Sequence, residues 1–249
     1  MKEVEWDRSP SVTPKTLQYK YDMDNKLQLL SVTRSPLDPY NHVYGRNSMG
    51  YRCPEFDSII WEDSVLFFGC SHTFGIGIRD DDTITNQLQL LLKMPVINLG
   101  QGGTGYTYQW INSTILKNHG VKPKAVVYLM PEHSRQTVFH IKNDYLTPRS
   151  MGHWNLCDKK VDRTEVGTAL IADEIHATAM AYYYSKNLEI LWDCPTLLYS
   201  WAAPLPTHSN IKSLESSIDY APGEPMHPGL ITNKIRATII AQDLKQWCR

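Results

Sequence analysis

Short apolar runs alternate with longer amphipathic stretches from residue 64 to the end of the sequence. The runs end at Gly, Pro or a polar residue and are typical of buried strands, and the stretches between them carry apolar residues at helical spacing. The predicted strands are SVLFFG, PVINLG, KAVVYLM and TLLYSW; the predicted helices are TITNQLQLLLKM, YTYQWINSTILKNHG, a long stretch from about Arg163 to Leu191, and PGLITNKIRATIIAQDLKQW. Such alternation predicts an α/β fold in which helices cover both faces of a parallel sheet.

The predicted helices have identifiable ends and inward faces. Thr83 is a candidate N-cap of the first helix, Gly120 closes the second and Pro195 ends the third. The apolar residues expected to face the sheet are Ile84, Leu88, Leu91 and Leu92 in the first helix and Ile231, Ile235, Ile239 and Leu244 in the last.

Residues 1–60 differ from the rest of the chain. They are rich in Pro, Ser, Asn and Tyr and contain one modest apolar run, LQLLSV. Short strands and turns suit such a composition better than an independent core does. We therefore predict an irregular N-terminal extension, residues 1–60, packed on a main domain formed by residues 61–249.

Charge and hydropathy argue against several classes of partner. The 249 residues have a formal net charge of -1, whereas proteins that bind nucleic acid or anionic membranes usually carry a basic excess. No apolar run is long enough to span a bilayer, and the segment MKEVEWDRSPSV lacks the apolar core of a signal peptide. We expect no nucleic-acid partner, no membrane partner and a cytoplasmic location.

Metal and cofactor chemistry is not indicated either. The five cysteines form no CxxC pair, and the histidines stand at no recognised metal-ligand spacing. The glycines of NLGQGGTG fit the G-x-G-x-x-G spacing of a dinucleotide site. They follow the second strand, however, and no Asp or Glu lies between Thr83 and Pro131 to bind a ribose. We therefore expect neither a metal nor a cofactor.

Ser71 is a candidate nucleophile in the segment FGCSHTFG. It stands where the first strand turns into a helix, a place where a backbone N–H can point at an oxyanion. A plain polar turn is the alternative interpretation of this segment taken alone. The neighbours Cys70 and His72 are interpreted as bystanders without a catalytic role.

His227 is a candidate general base in the segment GEPMHPG. It follows Glu224 by three residues, so we expect the carboxylate and the imidazole on the same side of one turn, with Nε2 left free. Asp219 is a less local alternative for the acid. An exposed loop histidine is the plainer interpretation of this segment alone. Because the carboxyl ends of parallel strands share one edge, the serine, glycine and histidine segments are expected to meet in one crevice.

Together these segments resemble the SGNH (GDSL-type) superfamily of serine hydrolases. GCSHTFG resembles its nucleophile block, VINLGQGGTG its glycine block and EPMHPG its histidine block, over residues 64–247. Upstream, NSMGYRCPEF is similar to a segment that often precedes the nucleophile block in phage and bacterial members. The resemblance implies a three-layer α/β/α, flavodoxin-like domain that hydrolyses acyl esters.

The resemblance also implies roles for individual residues. Ser71 would attack the carbonyl carbon, His227 would take and return the proton, and Glu224 would replace the family's Asp. The backbone N–H groups of Ser71 and Gly103 would bind the oxyanion. The family's third block supplies an Asn, whereas this chain has LMPEHSRQ. The residues there that would have to replace the Asn are His133, Ser134 or Arg135.

The implied reaction is the removal of an acetyl or other short acyl group from an acylated small molecule or polysaccharide, without a cofactor. Two alternatives stay open. One is a weakly active or inactive member that serves as a structural or glycan-binding component, for example of a phage particle. The other is an acyltransferase that passes the acyl group to a sugar hydroxyl. A phage-encoded chain would be virion-associated, and membership of a larger assembly is left open.

Overall fold

The structure is a computed structural model that describes Leu27, Leu29 and residues 44–142, 145–151, 174–202, 210–214, 217–222, 224–245 and 247. Its strands are β1 Val65–Gly69, β2 Val96–Gly100, β3 Ala125–Met130, β4 Gln136–Lys142, β5 Tyr145–Met151, β6 Thr196–Ser200, β7 Ile211–Ser213, β8 Tyr220–Ala221 and β9 Glu224–Pro228. Its α-helices are α1 Ser71–Phe74, α2 Ile84–Leu92, α3 Tyr106–Asn118, α4 Glu174–Leu191 and α5 Leu230–Leu244.

Five of the described strands form a parallel sheet in the order β2-β1-β3-β6-β7. The chain leaves β1 toward β2 and then crosses back to β3, so the strand order reverses beside β1. This is the flavodoxin-like order, and the predicted α/β class with a parallel sheet is confirmed. The predicted strands lie at β1, β2, β3 and β6. The three-residue edge strand β7 is too short to show a pattern in the sequence.

Helices cover both faces of this sheet. Leu66 and Phe68 of β1 belong to an apolar cluster that also contains side chains of α3 and α4. Val65 and Phe67 belong to a second cluster, with side chains of α2 and α5. Because successive side chains of a strand point to opposite faces, one apolar strand supplies both cores. The three-layer α/β/α arrangement is therefore confirmed.

The first predicted helix is confirmed as α2. The hydroxyl of Thr83 accepts a hydrogen bond from the backbone N–H of Asn86 at 3.2 Å and caps the helix as predicted. The predicted inward position of Leu91 is wrong, since its side chain is 47% exposed. In this last turn of α2 the neighbouring Leu92 packs against the core instead.

The last predicted helix is confirmed as α5, but its inward face is rotated. Ile231 is 55% exposed, so its predicted inward position is wrong. Thr232 and Asn233 are buried in its place, because hydrogen bonds between Thr232 and Asp219 fix the rotation of the first turn. The buried face also contains Arg236, which bears on the candidate site.

Two further elements, the long predicted helix and the hairpin β4–β5, differ in how clearly the sequence indicated them. The long predicted helix is confirmed over α4, Glu174–Leu191. The predicted part before Glu174 lies outside the described residues. The antiparallel hairpin β4–β5 has no counterpart among the predicted elements. No described helix combines the length and the apolar character that crossing a bilayer requires.

The described part of the predicted N-terminal extension lies against the main domain. Leu29, Tyr51 and Phe56 are buried in the apolar cluster on the α3–α4 side of the sheet. The Tyr51 hydroxyl accepts a hydrogen bond of 2.9 Å from Asn112 Nδ2 on α3. The domain boundary at residue 60 stays a prediction.

Candidate active site

Ser71 is the first residue of α1 and follows the end of β1 by two residues. Two glycines allow α1 to lie tightly against the strand ends. A Cβ on Gly69 would overlap the side chain of Thr73, and a Cβ on Gly100 would lie 2.5 Å from the backbone N of Phe74. Ser71 is thereby placed beside the point where the strand order reverses, the usual ligand crevice of such sheets. It is buried, with 4% of its surface exposed.

The glycine-rich loop after β2 lies against the end of β1. Gln101 N–H donates to the Gly69 carbonyl at 3.0 Å, and the Thr104 hydroxyl donates to the Gln101 carbonyl at 2.7 Å. Gly103 has a φ of 79°, which a residue with a side chain rarely adopts. Within the described residues, the N–H groups of Ser71 and Gly103 donate to no other group. Their assignment as oxyanion donors stays a prediction.

Asn98 supports α1 from β2, and the sequence interpretation assigned it no such role. Its side-chain Nδ2 donates to the Thr73 carbonyl at 2.9 Å and to the Thr85 hydroxyl at 3.1 Å. Its Oδ1 accepts from Gly100 N–H at 3.0 Å. The signal was available, because an amide inside the apolar strand VINLG needs buried partners.

The third segment, PEHSR, lies next to the glycine-rich loop. A Cβ on Gly105 would overlap the Arg135 carbonyl, so the two backbones are in close contact. Arg135 Nε donates to Glu132 Oε1 at 3.1 Å, which closes the turn. Ser134 is 3% exposed, and its hydroxyl has no hydrogen-bond partner among the described residues. Of the three predicted substitutes for the missing Asn, Ser134 thus has a buried hydroxyl that is able to donate.

His227 lies in a strand, so the predicted loop is wrong. The pairing of β9 with β8 skips residues 225–227, which form a bulge. A regular strand would place residues three apart on opposite faces. A common side for Glu224 and His227 therefore depends on this bulge. The Glu224 side chain lies outside the part of the chain that the structure describes.

His72 joins α1 to β9. Its Nε2 lies 3.2 Å from the Met226 carbonyl oxygen. Its ring stacks on Trp201, with centroids 4.0 Å apart, and meets the edge of the His227 ring at 5.6 Å. The fold thus brings the neighbours of Ser71 and His227 into contact. The interpretation of His72 as a residue without a catalytic role stays a prediction.

The buried Arg236 adds a positive charge close to His72. It lies on α5 and is 2% exposed, and burial lowers the pKa of its guanidinium to about 10. Burial also lowers the pKa of His72 well below its ordinary value, and Arg236, His227 and Arg135 lower it further. His72 is therefore neutral. An arginine inside the apolar stretch KIRATII was the sequence signal for a buried cation.

Arg52, from the upstream segment NSMGYRCPEF, holds the other end of α1. Its guanidinium donates to the carbonyl oxygens of Phe74, Gly75 and Ile78 at 2.9, 2.5 and 3.1 Å. It also forms an ion pair with Asp80, in which the Arg52 side chain is 2% exposed. The segment before the nucleophile thus fixes the loop that follows it.

Asp219, the alternative acid, caps the N-terminus of α5. Its carboxylate accepts from Ile231 N–H at 2.9 Å, from Thr232 N–H at 2.7 Å and from the Thr232 hydroxyl at 2.6 Å. Partial burial acts to raise the pKa of Asp219, but these hydrogen bonds outweigh it and lower the pKa below its ordinary value. Such bonds satisfy amides that the first turn of a helix leaves open.

Removal of this cap is expected to destabilise the fold. Asp219→Ala should lower the free energy of unfolding by about 1–2 kcal/mol at pH 7. The stability of Asp219→Asn should lie between those of Asp219→Ala and the wild type. Since the folded pKa is lowered, the contribution is present above the unfolded value and is lost as the pH falls through the folded value, below about 4. Urea titrations at pH 7 and at pH 3 measure both effects. Equal stability at pH 7 would contradict the capping role.

Among the described residues, no group of three or more His, Cys, Asp or Glu side chains is placed to hold a metal ion. Cys70 is fully buried beneath the nucleophile turn, and the Ser71 hydroxyl lies 3.9 Å from its sulfur.

No family model and no curated protein matches the chain. Among solved structures, an acetyl xylan esterase from the rumen bacterium Butyrivibrio proteoclasticus has a TM-score of 0.44 and 12% identity, over 76% of this chain and 64% of that one. A family two carbohydrate esterase from Clostridium thermocellum, in complex with cellohexaose, has a TM-score of 0.39 and 12% identity, over 75% and 64%. An inhibitor-bound aryl esterase of M. smegmatis has a TM-score of 0.39 and 14% identity, over 74% and 99%. The chain thus matches 64% of the length of the first two of these proteins.

Proposed function

We propose that the chain is a serine esterase of the SGNH type that removes acetyl or other short acyl groups from carbohydrates. Ser71 is the nucleophile, His227 the general base and Glu224 the acid that orients it. The observation that carries the proposal is the contact between α1 and β9, where His72 meets the Met226 carbonyl at 3.2 Å. This contact joins the residue after the nucleophile to the residue before the base.

The reaction has two halves. In the first, Ser71 Oγ attacks the ester carbonyl carbon while His227 accepts the hydroxyl proton. The tetrahedral intermediate collapses, His227 returns the proton to the leaving sugar oxygen, and an acyl-serine remains. In the second, His227 takes a proton from water, the resulting hydroxide adds to the acyl carbon, and Ser71 regains its proton as the carboxylic acid leaves.

The oxyanion of each intermediate is bound by groups that have spare hydrogen-bonding capacity. The N–H groups of Ser71 and Gly103 donate to no other described group. The buried hydroxyl of Ser134 is proposed as the third donor in place of the family's Asn, since it has no partner among the described residues. Donors fixed in advance stabilise the developing charge without having to reorganise.

Glu224 is favoured over Asp219 as the acid. The Asp219 carboxylate accepts hydrogen bonds from Ile231 and Thr232 and closes the first turn of α5. Glu224 begins β9, the strand that carries His227. It is therefore the carboxylate nearest to the base along the chain that is not committed to α5.

The burial of Ser71 favours a short acyl group. With 4% of its surface exposed, the serine offers a long acyl chain little access. The same burial is the observation that favours the alternative function, a weakly active or inactive member that binds glycans. Turnover of small acetyl esters distinguishes these two functions, and addition of an acceptor sugar distinguishes hydrolysis from acyl transfer.

The test is turnover of p-nitrophenyl acetate and of acetylated xylo-oligosaccharides, with p-nitrophenyl octanoate as the long-chain comparison. We expect the acetyl esters to be hydrolysed and the octanoate to be a poorer substrate. A general base acts unprotonated, so kcat should rise between about pH 5 and 8, where an ordinary histidine loses its proton. No turnover of either acetyl ester, or a flat pH profile, would contradict the proposal.

A further inference from the structure

We propose that His72 is a positioning residue, which docks the strand carrying His227 onto the helix that begins with Ser71. The proposal rests on the proposed function, because it assigns these two residues the roles of base and nucleophile. It concerns a side chain for which neither the nucleophile block nor the histidine block implies a role.

The first step concerns the hydrogen bond. His72 Nε2 lies 3.2 Å from the Met226 carbonyl oxygen. A carbonyl oxygen only accepts, so Nε2 carries the proton and donates it. The other ring nitrogen, Nδ1, is then an acceptor in the neutral ring, and it has no hydrogen-bond partner among the described residues. The ring is thus held through one donor, in a single tautomer.

The second step concerns the ring itself. His72 is 5% exposed and lies between two other rings. One face stacks on Trp201, at 4.0 Å between centroids and 25° between planes, and the ring meets His227 edge-on at 5.6 Å. Trp201 directly follows β6, and the guanidinium of Arg135 lies 5.3 Å from the Trp201 ring centroid. The His72 ring therefore lies between Trp201, at the end of the central sheet, and His227, in the bulge of β9.

The third step concerns charge. Arg236 of α5, His227 of β9 and Arg135 of the loop after β3 lie close enough to His72 to act on its charge. Burial is the main cause that lowers its pKa, these three side chains lower it further, and the Met226 carbonyl opposes them. A protonated His72 would bring another positive charge into this group. The neutral ring keeps its donor, and His72 does not exchange protons as the base must.

The two histidines, which are neighbours in space, therefore have different roles. His227 transfers protons, and His72 sets the distance and the angle from which His227 approaches the Ser71 hydroxyl. Displacement of a catalytic group by about 1 Å is enough to reduce a rate by roughly 10²-fold. Loss of the His72 donor should therefore lower kcat and leave KM nearly unchanged, because His72 is 5% exposed and offers a substrate little surface to contact.

Two variants separate the donor from the ring. His72→Phe keeps an aromatic ring on Trp201 and removes the N–H, and we expect kcat to fall by about 10²-fold with an unaltered KM. His72→Gln places an amide N–H at a similar reach to the Met226 carbonyl, and it should recover most of the lost kcat. His119→Phe, at an exposed position just after α3, is the matched control and should behave as the wild type.

Hydrogen exchange of the 224–229 segment supplies a readout that does not need activity. Exchange there should be faster in His72→Phe than in the wild type, and close to the wild type in His72→Gln. A wild type without esterase activity would overturn the proposed function, and the exchange data would still decide whether His72 docks β9. Wild-type kcat and exchange in a folded His72→Phe would overturn the docking role. A His72→Gln variant as inactive as His227→Ala would also overturn it, because His72 would then be the base.

Discussion

Replacement of Ser71 by alanine is expected to lower kcat for acetyl esters by roughly 10⁴-fold or more, since loss of a nucleophile removes the whole covalent route. The residual rate should come from the oxyanion donors and substrate binding, which Ser71→Ala leaves in place. Ser71 begins α1, and among the described residues its hydroxyl makes one long contact, of 3.9 Å with the Cys70 sulfur. The melting temperature should therefore change little.

Two further variants sharpen this result. Ser58→Ala removes a hydroxyl from an exposed serine before β1 and should leave the activity unchanged. Cys70→Ala tests whether the neighbouring thiol is the true nucleophile. Loss of activity in Cys70→Ala together with full activity in Ser71→Ala would show that the account assigns the wrong atom.

Replacement of Arg52 by alanine is expected to destabilise the fold by about 2–3 kcal/mol, the effect of removing a charged donor from buried hydrogen bonds, because the Arg52 side chain is 2% exposed whereas its ion-pair partner Asp80 is 54% exposed. The Arg52 guanidinium donates to the carbonyl oxygens of Phe74, Gly75 and Ile78. Without it those acceptors lose their donor, and the loop after α1 is no longer tied to the upstream segment. Denaturant unfolding at pH 7 measures the loss, and kcat should fall as well because α1 carries Ser71.

Matched controls distinguish the buried cation from surface charge. Arg79→Ala breaks an ion pair with Asp82 in which the arginine is 75% exposed, and it should cost less than about 1 kcal/mol. Arg52→Lys keeps the charge but not the planar fork of donors, so its stability should lie between those of Arg52→Ala and the wild type. An Arg52→Ala protein with wild-type stability and activity would show that the hydrogen bonds of Arg52 to the loop after α1 are not needed.

The sequence predicted the elements of the fold well because their signals are local. β1, β2, β3 and β6 are apolar runs bounded by Gly, Pro or polar residues, and parallel packing follows from their alternation with helices. The position of Ser71 after β1 follows from the same pattern. The strand β9 was missed because GEPMHPG contains two prolines and two glycines, which favour a loop. Its partner β8 has two residues, too few to show an alternation.

The contacts that build the candidate site were less predictable because they join distant residues. His72 and Met226 are 154 positions apart, and Arg52 and Phe74 are 22 apart. No local periodicity records such a pairing. The rotation of α5 shows the same limit, since hydrogen bonds of Thr232 to Asp219, and not the spacing of isoleucines, decide which face is buried.

The central claim is that Ser71 is a nucleophile activated by His227. A fluorophosphonate tests it directly: Ser71 Oγ bonds to phosphorus, fluoride leaves, and His227 accepts the hydroxyl proton. Peptide mass spectrometry of the labelled protein should find the phosphonyl group on Ser71, and His227→Ala should label far more slowly. An unlabelled Ser71 in the folded wild-type protein, or equal labelling rates in His227→Ala, would contradict the account.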